Sequence, residues 1–307
     1  MNDKLKKQKE KKRKLFNLKK DQREEITGYT FLIPIIVLFS FIIFIPAGKA
    51  FLDSFTNSGL YQQIPKFIGL KNYIELFKDV EFWKTTARTV FLVTLVVGLQ
   101  YILGLILAML LNLELKGTRW MKNFIMIPWV IPVASMVVMF DFMVIPKFGL
   151  VNMILKNIGL NGFTRYWFGD KMFAFPLIII MHIWRNMPFY AITLYAALKG
   201  ISATLYEAAD IDGANAWDKF WNITLPQIKT PSMIVIILHI LFTVNNFDII
   251  YLATGGGPVG KTEVLATQVY QMSWTNYEYG KASAMGIFMM LIMIVVSIVS
   301  MRQSNEA

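Results

Sequence analysis

The chain is predicted to be an all-α integral membrane protein with six transmembrane helices. Two observations predict that class and a third orients it. Of 307 residues, 55% are hydrophobic and 17% charged, and the mean hydropathy is +0.49; soluble domains carry about 25% charged residues. The apolar residues fall in runs long enough to cross a bilayer, which takes about 20 residues of helix. Finally, 11 of the 31 Lys and Arg lie in residues 1–27, directly before the first run, as the positive-inside rule asks of a cytoplasmic N-terminus.

Taken in order, residues 1–27 are a lysine-rich tail, expected to be disordered or to lie on anionic lipid. Residues 26–48 are uncharged and form span 1. The tail with residues 31–45 imitates a signal peptide, but no A-x-A site follows, so an uncleaved first helix is expected. Pro34 sits near the start of this helix, and Pro46 is expected to end it. Residues 49–88 form an outside loop, with turn chemistry and exposed aromatics in Phe67-Ile68-Gly69-Leu70-Lys71-Asn72-Tyr73.

Residues 89–113 are span 2, where Gly98, Gly104 and Ala108 would allow close helix approach. Residues 123–140 are span 3. Its Pro128-Trp129-Val130-Ile131-Pro132 removes two backbone donors, which predicts a kinked helix buried in the bundle. Residues 172–198 are span 4, interrupted only by Arg185. A charge there faces the bundle or a water-filled path, and an internal pair with Asp141 or Asp248 is favoured over binding of an acidic sugar. Residues 230–247 and 282–301 are spans 5 and 6, with span 5 closing in the turn Gly255-Gly256-Gly257-Pro258. Both termini then lie inside. Beyond the tail, 7 basic residues fall inside and 12 outside, so the tail alone carries the orientation.

Several chemistries are excluded. Cysteine is absent, and His occurs only at His182 and His239, too few for a histidine-built metal site. The spans hold no paired carboxylates, His cluster or Ser–His pairing at helical spacing, so no enzyme is expected and no catalytic residue or metal ligand is assigned. The basic tail precedes a span and is read as a topology signal, with no nucleic acid as partner. Gly255 to Thr262 matches G-x-x-x-x-G-K-T. That phosphate loop needs a buried strand before it, and here a membrane span precedes it.

The charged segment between spans 4 and 5 is the most informative. Leu205, Ala208, Ala209 and Asp212 fall on one helical face. The small Ala208 and Ala209 would let a partner's backbone approach, and Glu207 offers a charge to a basic group. Gly213 permits a sharp bend. A second short helix over 215–222 leads to Leu225-Pro226, where Pro226 is expected to stop it. An ordinary amphipathic interfacial loop is the plain alternative.

Glu207-Ala208-Ala209, with Asp212-Gly213 and Ile223-Thr224-Leu225-Pro226, resembles the EAA loop of binding-protein-dependent ABC importer permeases. The resemblance runs from about residue 66 to the C-terminus. It also rests on the 67–73 and 128–132 stretches and on Phe247-Asp248-Ile249-Ile250-Tyr251-Leu252-Ala253-Thr254-Gly255-Gly256-Gly257-Pro258. With Gly280-Lys281-Ala282-Ser283-Ala284, it points to the carbohydrate branch, of maltose and glycerol-3-phosphate permease type. Two departures are a third glycine before the proline and Arg88-Thr89 where Asn-Thr is usual.

The resemblance implies a type I ABC importer transmembrane fold. It divides the chain into a tail (1–27), a first helix and extracytoplasmic loop (28–84), a permease domain (85–302, docking loop about 200–230) and a cytoplasmic C-terminus (303–307). It implies a multi-pass protein of the bacterial plasma membrane. The expected partners are a second homologous permease, as a heterodimer, two ABC ATPases and an extracytoplasmic solute-binding protein. No cofactor is implied for this chain, ATP-Mg being held by the ATPases. Docking on the ATPase is implied for Glu207, Ala208, Ala209, Asp212, Gly213, Leu225 and Pro226. Sugar contact is implied for His182, Asn186 and Phe189 on span 4, and for Phe242, Thr243 and Asn246 on span 5. Their chemistry suits a sugar, with amides, hydroxyl and imidazole for hydroxyl groups and rings for apolar faces. The same polar groups could instead join helices. Import of a peptide or phosphodiester, or a stand-alone channel or intramembrane enzyme, are the competing functions.

Overall fold

In the computed structural model, residues 25, 27, 29–62, 64–113 and 116–305 are described; most of the basic tail lies outside them. The helices are α1 Tyr29–Asp53, α2 Lys71–Lys78, α3 Val80–Asn112, α4 Trp120–Val130, α5 Val133–Val144 and α6 Leu150–Asn157. There follow α7 Ala174–Lys199, α8 Ala203–Ile211, α9 Ala216–Gln227, α10 Lys229–Val244, α11 Asp248–Thr254, α12 Leu265–Trp274 and α13 Tyr279–Asn305. Among the described residues, four helices are long and apolar enough to cross a membrane, or six if the bent pairs α4–α5 and α9–α10 each make one span.

The fold is built around α3. Asp79 starts it by accepting the Glu81 N–H at 2.9 Å, a cap that charge-free runs cannot reveal. One flank of α3 packs Leu92 and Val96 against α5, α7 and α11 through Met136, Phe140, Ile178 and Ile249. The other packs Val93 and Val97 against Val244 of α10 and Met285 and Met289 of α13. Near its far end, Leu105 and Ala108 meet Leu194 and Leu198 of α7. A Cβ on Gly104 would collide with the Tyr190 Cβ and lie 3.3 Å from the Ala191 nitrogen, so glycine sets the α3–α7 spacing there. Gly98 differs from expectation: it faces open space because it sits off the seam that Gly104 and Ala108 share.

The prolines act in different ways. Pro46 does not end α1, which runs on to Asp53. Helix α9 closes at Gln227, one residue past Pro226 as the sequence suggested, and turns by 64° into α10. A π-turn precedes each of these prolines, over Ser40–Phe44 and Phe220–Thr224; the wider turn relieves the clash between the ring and the preceding carbonyls, so the helix reaches the proline intact. In span 3 the effect is larger than a kink. The chain breaks at Ile131-Pro132, both extended, and α4 meets α5 at 94°. Burial is divided at the break: Val130 before it is 70% exposed, whereas Met136, Val137 and Phe140 after it are buried as expected.

Each of two loops is held by one buried asparagine. Asn72 donates to the Ser54 and Thr56 carbonyls at 2.9 and 2.8 Å. Asn152 donates to the carbonyls of Val144, Ile145 and Arg165 at 3.1, 3.1 and 2.9 Å, and accepts from Trp167 Nε1 at 3.0 Å. One amide side chain thereby replaces several backbone partnerships in each irregular loop. The 67–73 stretch also holds an exposed Phe67, as its turn chemistry suggests, and a Tyr73 that donates to Ser54 Oγ at 2.8 Å.

Candidate functional site

The predicted contacts on spans 4 and 5 converge. His182, Asn186 and Phe189 of α7, Phe242 and Thr243 of α10, and Asn246 just beyond α10 all line one cavity of about 410 Å³. The cavity exists because two helices are interrupted beside it. Helix α10 ends at Val244, and α11 resumes at Asp248, although the sequence suggested one span as far as the glycine turn. Asn245 closes the end of α10 by donating back to the Leu241 carbonyl at 2.9 Å, and the Asn246 side-chain oxygen accepts the Ile249 N–H of α11 at 3.4 Å. Asparagine competes with helical hydrogen bonding in this way, so two in succession interrupt an apolar run.

The second interruption is Ile131-Pro132. Arg185 donates to the Ile131 carbonyl, one that the bend releases from helical pairing. Of the two expected partners, Asp141 is instead hydrogen-bonded by Tyr166 at 3.4 Å, whereas Asp248 lines the same cavity as Arg185 and its charge acts on the guanidinium from beyond direct contact. A guanidinium with five donors suits a bent backbone as well as a carboxylate.

The remaining walls are Trp129, Val133, His239, Asn245 and Phe247. Trp129 stacks on Phe189 with centroids 6.1 Å apart, and His239 lies 5.4 Å from Phe189 and 4.4 Å from Tyr190. Phe242 is 67% exposed and projects from the wall. His182 is buried; its carbonyl accepts from Gln100 at 2.7 Å and Asn186 at 3.1 Å, while its Nε2 has no hydrogen-bond partner. A cavity with aromatic walls, three amides, a hydroxyl and two imidazoles can bond hydroxyl groups and cover apolar ring faces. Sequence reasoning missed His239 and Asn245. His239 is one turn before Thr243, and the Asn245-Asn246 pair itself marks the break, so both carried a usable signal.

The charged segment folds as helix, bend and helix. Ser202 caps α8 at the Thr204 N–H, 3.3 Å away, and Gly213 bends the chain at φ +76°. Asn215 and Asp218 form a capping box at the start of α9. Tyr206 and Thr224 hydroxyls meet at 2.9 Å, and Lys219 pairs with Asp210. The expected single face divides. Ala209 turns inward, and its carbonyl accepts the Ala214 N–H at 2.9 Å. Glu207, Ala208 and Asp212 point outward beside Ile211, which is 87% exposed. Leu225 is half-buried and Pro226 exposed, both further along α9.

The phosphate-loop lookalike is occupied by its own structure. Helix α11, not a strand, precedes it. Thr262 is fully buried, with its hydroxyl 2.7 Å from Thr254 Oγ1 and 2.6 Å from the Gly257 carbonyl.

A family model described as binding-protein-dependent transport system inner membrane component matches residues 100–304. The chain is 33% identical over 283 residues to the sulfoquinovosyl glycerol transport system permease protein SmoG of Agrobacterium fabrum, covering 92% of this chain and 91% of that protein. It is 34% identical over 283 residues to the trehalose/maltose transport system permease protein MalF of Thermococcus litoralis, covering 91% and 94%. Its fold is similar to a chain in the crystal structure of a bacterial alginate ABC transporter in complex with an alginate pentasaccharide-bound periplasmic protein. The TM-score is 0.81 at 24% identity, with 94% of this chain and 96% of that chain covered. The chain therefore belongs to the binding-protein-dependent transport system inner membrane components, the permeases of ABC importers, which are transport proteins rather than enzymes.

Proposed function

We propose that this chain is one of two permease subunits of an ATP-driven importer that moves a sugar or oligosaccharide across the bacterial plasma membrane. The observation that carries the reading is the convergence of Asn186, Phe189, Phe242, Thr243 and Asn246 with His182 on one cavity. The substrate's hydroxyls bond the amides, Thr243 and the His182 Nε2, while Trp129, Phe189 and Phe242 cover its ring faces. Relatives named for sugar transport support the same class. The bent pairs complete six spans, with both termini cytoplasmic as the basic tail predicts.

The exposed tip of the charged segment, with Glu207, Ala208, Asp212 and Gly213, docks on a separate ATPase subunit, and Leu225-Pro226 joins it to α10. Two such ATPases hold ATP-Mg, and this chain binds no cofactor. A second permease closes the open side of the cavity, and an extracytoplasmic solute-binding protein delivers the sugar.

The test is purification of the tagged chain from its host in mild detergent, followed by mass spectrometry and by ATPase assay with a sugar panel. A second permease and an ATPase are expected to co-purify, and Glu207→Lys is expected to lose the ATPase while keeping the second permease. Recovery of the chain alone would refute the importer reading. Stimulation by peptides or phosphodiesters, with none by sugars, would refute the substrate class.

A further inference from the structure

Phe247 is both the last aromatic of the cavity wall and the first of a ring cluster that continues beyond it. Phe247 and Tyr251 are one turn apart, as are Tyr270 and Trp274 on α12. The Phe247 ring lies 4.6 Å from Tyr251 and 4.6 Å from Tyr270, Tyr251 and Tyr270 are 4.7 Å apart, and Trp274 follows 6.4 Å from Tyr270. The Tyr251 and Tyr270 hydroxyls meet at 3.4 Å. Exposed rings occur elsewhere, as Phe31 at 76% and Trp83 at 48%; what sets these four apart is that they continue a cavity wall through Phe247. None of these four is buried, and Trp274 is 66% exposed.

A run of accessible rings with hydroxyl edges has one small-molecule counterpart that fits both features. The C–H faces of pyranoses lie on the electron-rich faces of aromatic rings, and their hydroxyls bond phenol edges. Peptides and phosphodiesters would call on backbone or charged partners instead. Because Phe247 belongs to both surfaces, a chain of sugar rings can pass from one to the other without losing contact.

We propose that Tyr251, Tyr270 and Trp274, reached through Phe247, form a saccharide subsite outside the cavity, so that the permease carries an oligosaccharide whose trailing rings rest there while its leading rings fill the cavity. The inference rests on the sugar-importer reading and on its orientation, which places α12 on the extracytoplasmic side.

The experiment uses the complete importer in proteoliposomes, with its partner subunits and binding protein. It compares uptake of a labelled disaccharide and of a hexasaccharide from one series, chosen among sugars that stimulate its ATPase. Tyr251→Ala with Trp274→Ala is expected to lower hexasaccharide uptake roughly tenfold and leave disaccharide uptake near the unmodified level. Tyr251→Phe with Trp274→Phe, which keep the rings, are expected to restore most of it. Equal loss at both lengths would show that the rings hold a subunit seam, and no loss at either would show that they touch no substrate; both overturn the subsite. If the unmodified importer carries no saccharide but does carry another solute, the sugar reading itself fails and the subsite falls with it.

Discussion

Two kinds of helix do different jobs in this chain. Helices α3 and α7 are continuous and meet along a seam of small residues. Asp79 caps α3 by accepting the Glu81 N–H, and α7, which has no side-chain cap of its own, follows a turn in which Asp170 accepts the Met172 and Phe173 N–H groups at 2.8 and 3.3 Å. Helices α5 and α10 are the second halves of bent elements and begin without a side-chain cap, at Pro132 and Ile228. The Ile131-Pro132 bend before α5 and the Asn245-Asn246 break after α10 both border the cavity. Where backbone continuity is kept, the chain packs; where it is given up beside the cavity, polar side chains gather to satisfy the freed groups and can also meet a solute. Irregular backbone at membrane depth survives only when protein or water covers it.

The largest effect should come from the seam. Gly104→Val forces a branched side chain against the Tyr190 Cβ and the Ala191 backbone, which cannot yield, and should destabilise the protein by more than the about 3 kcal/mol that bounds ordinary overpacking, read as a lower melting temperature in detergent. Gly98→Val, with open space around it, should change stability by less than about 0.5 kcal/mol. Equal loss from both would remove the distinction between seam and surface.

A smaller effect is expected at the break. Arg185→Gln removes a charge-assisted hydrogen bond to the Ile131 carbonyl, worth about 1.5–3 kcal/mol, and should broaden the 94° bend while leaving the α3–α7 seam intact. Because the chain has no cysteine, spin labels on cysteines introduced at positions 124 and 142 would report the bend alone. An unchanged distance distribution would show that Arg185 does not hold it.

The smallest effect concerns Asp170. The Met172 N–H holds its carboxyl below the usual carboxylate range, aided by the Phe173 N–H and by the Arg165 guanidinium. A lowered value in the folded state stabilises the turn before α7 above the ordinary carboxylate range, and that stability is lost as pH falls through the lowered value. Protection of the Met172 and Phe173 amides, corrected for the intrinsic pH dependence of hydrogen exchange, should therefore fall on acidification, and Asp170→Asn should abolish the change.

The spans were legible in the sequence because lipid imposes uncharged runs, and the cavity residues because the resemblance pointed to two helices whose faces the spacing then defined. The breaks were not. Prolines 46, 128, 132 and 226 look alike as letters, yet Pro46 sits behind a π-turn in a continuous helix, Pro226 lies one residue before a 64° bend, and the pair at 128 and 132 turns the chain by 94°. What separates them is the register of carbonyls one turn earlier, which composition does not record. The partner of Arg185 was missed for the same reason, since the acceptor is a main-chain carbonyl that exists as an open site only once the helix has bent. His239 and Asn245 could have been read from their spacing to Thr243 and Asn246.

The bracing of the charged segment has a mechanical consequence. With Tyr206 tied to Thr224, Lys219 to Asp210 and Asn215 to Asp218, α8 and α9 have little slack between them. Force applied at the exposed Glu207 tip cannot be absorbed there and passes to the base of α10, whose 16 residues make a lever arm about 24 Å long. Its far end is Asn245-Asn246, on the cavity wall. Stiffness at one end and a broken helix at the other put the give of the lever at the cavity.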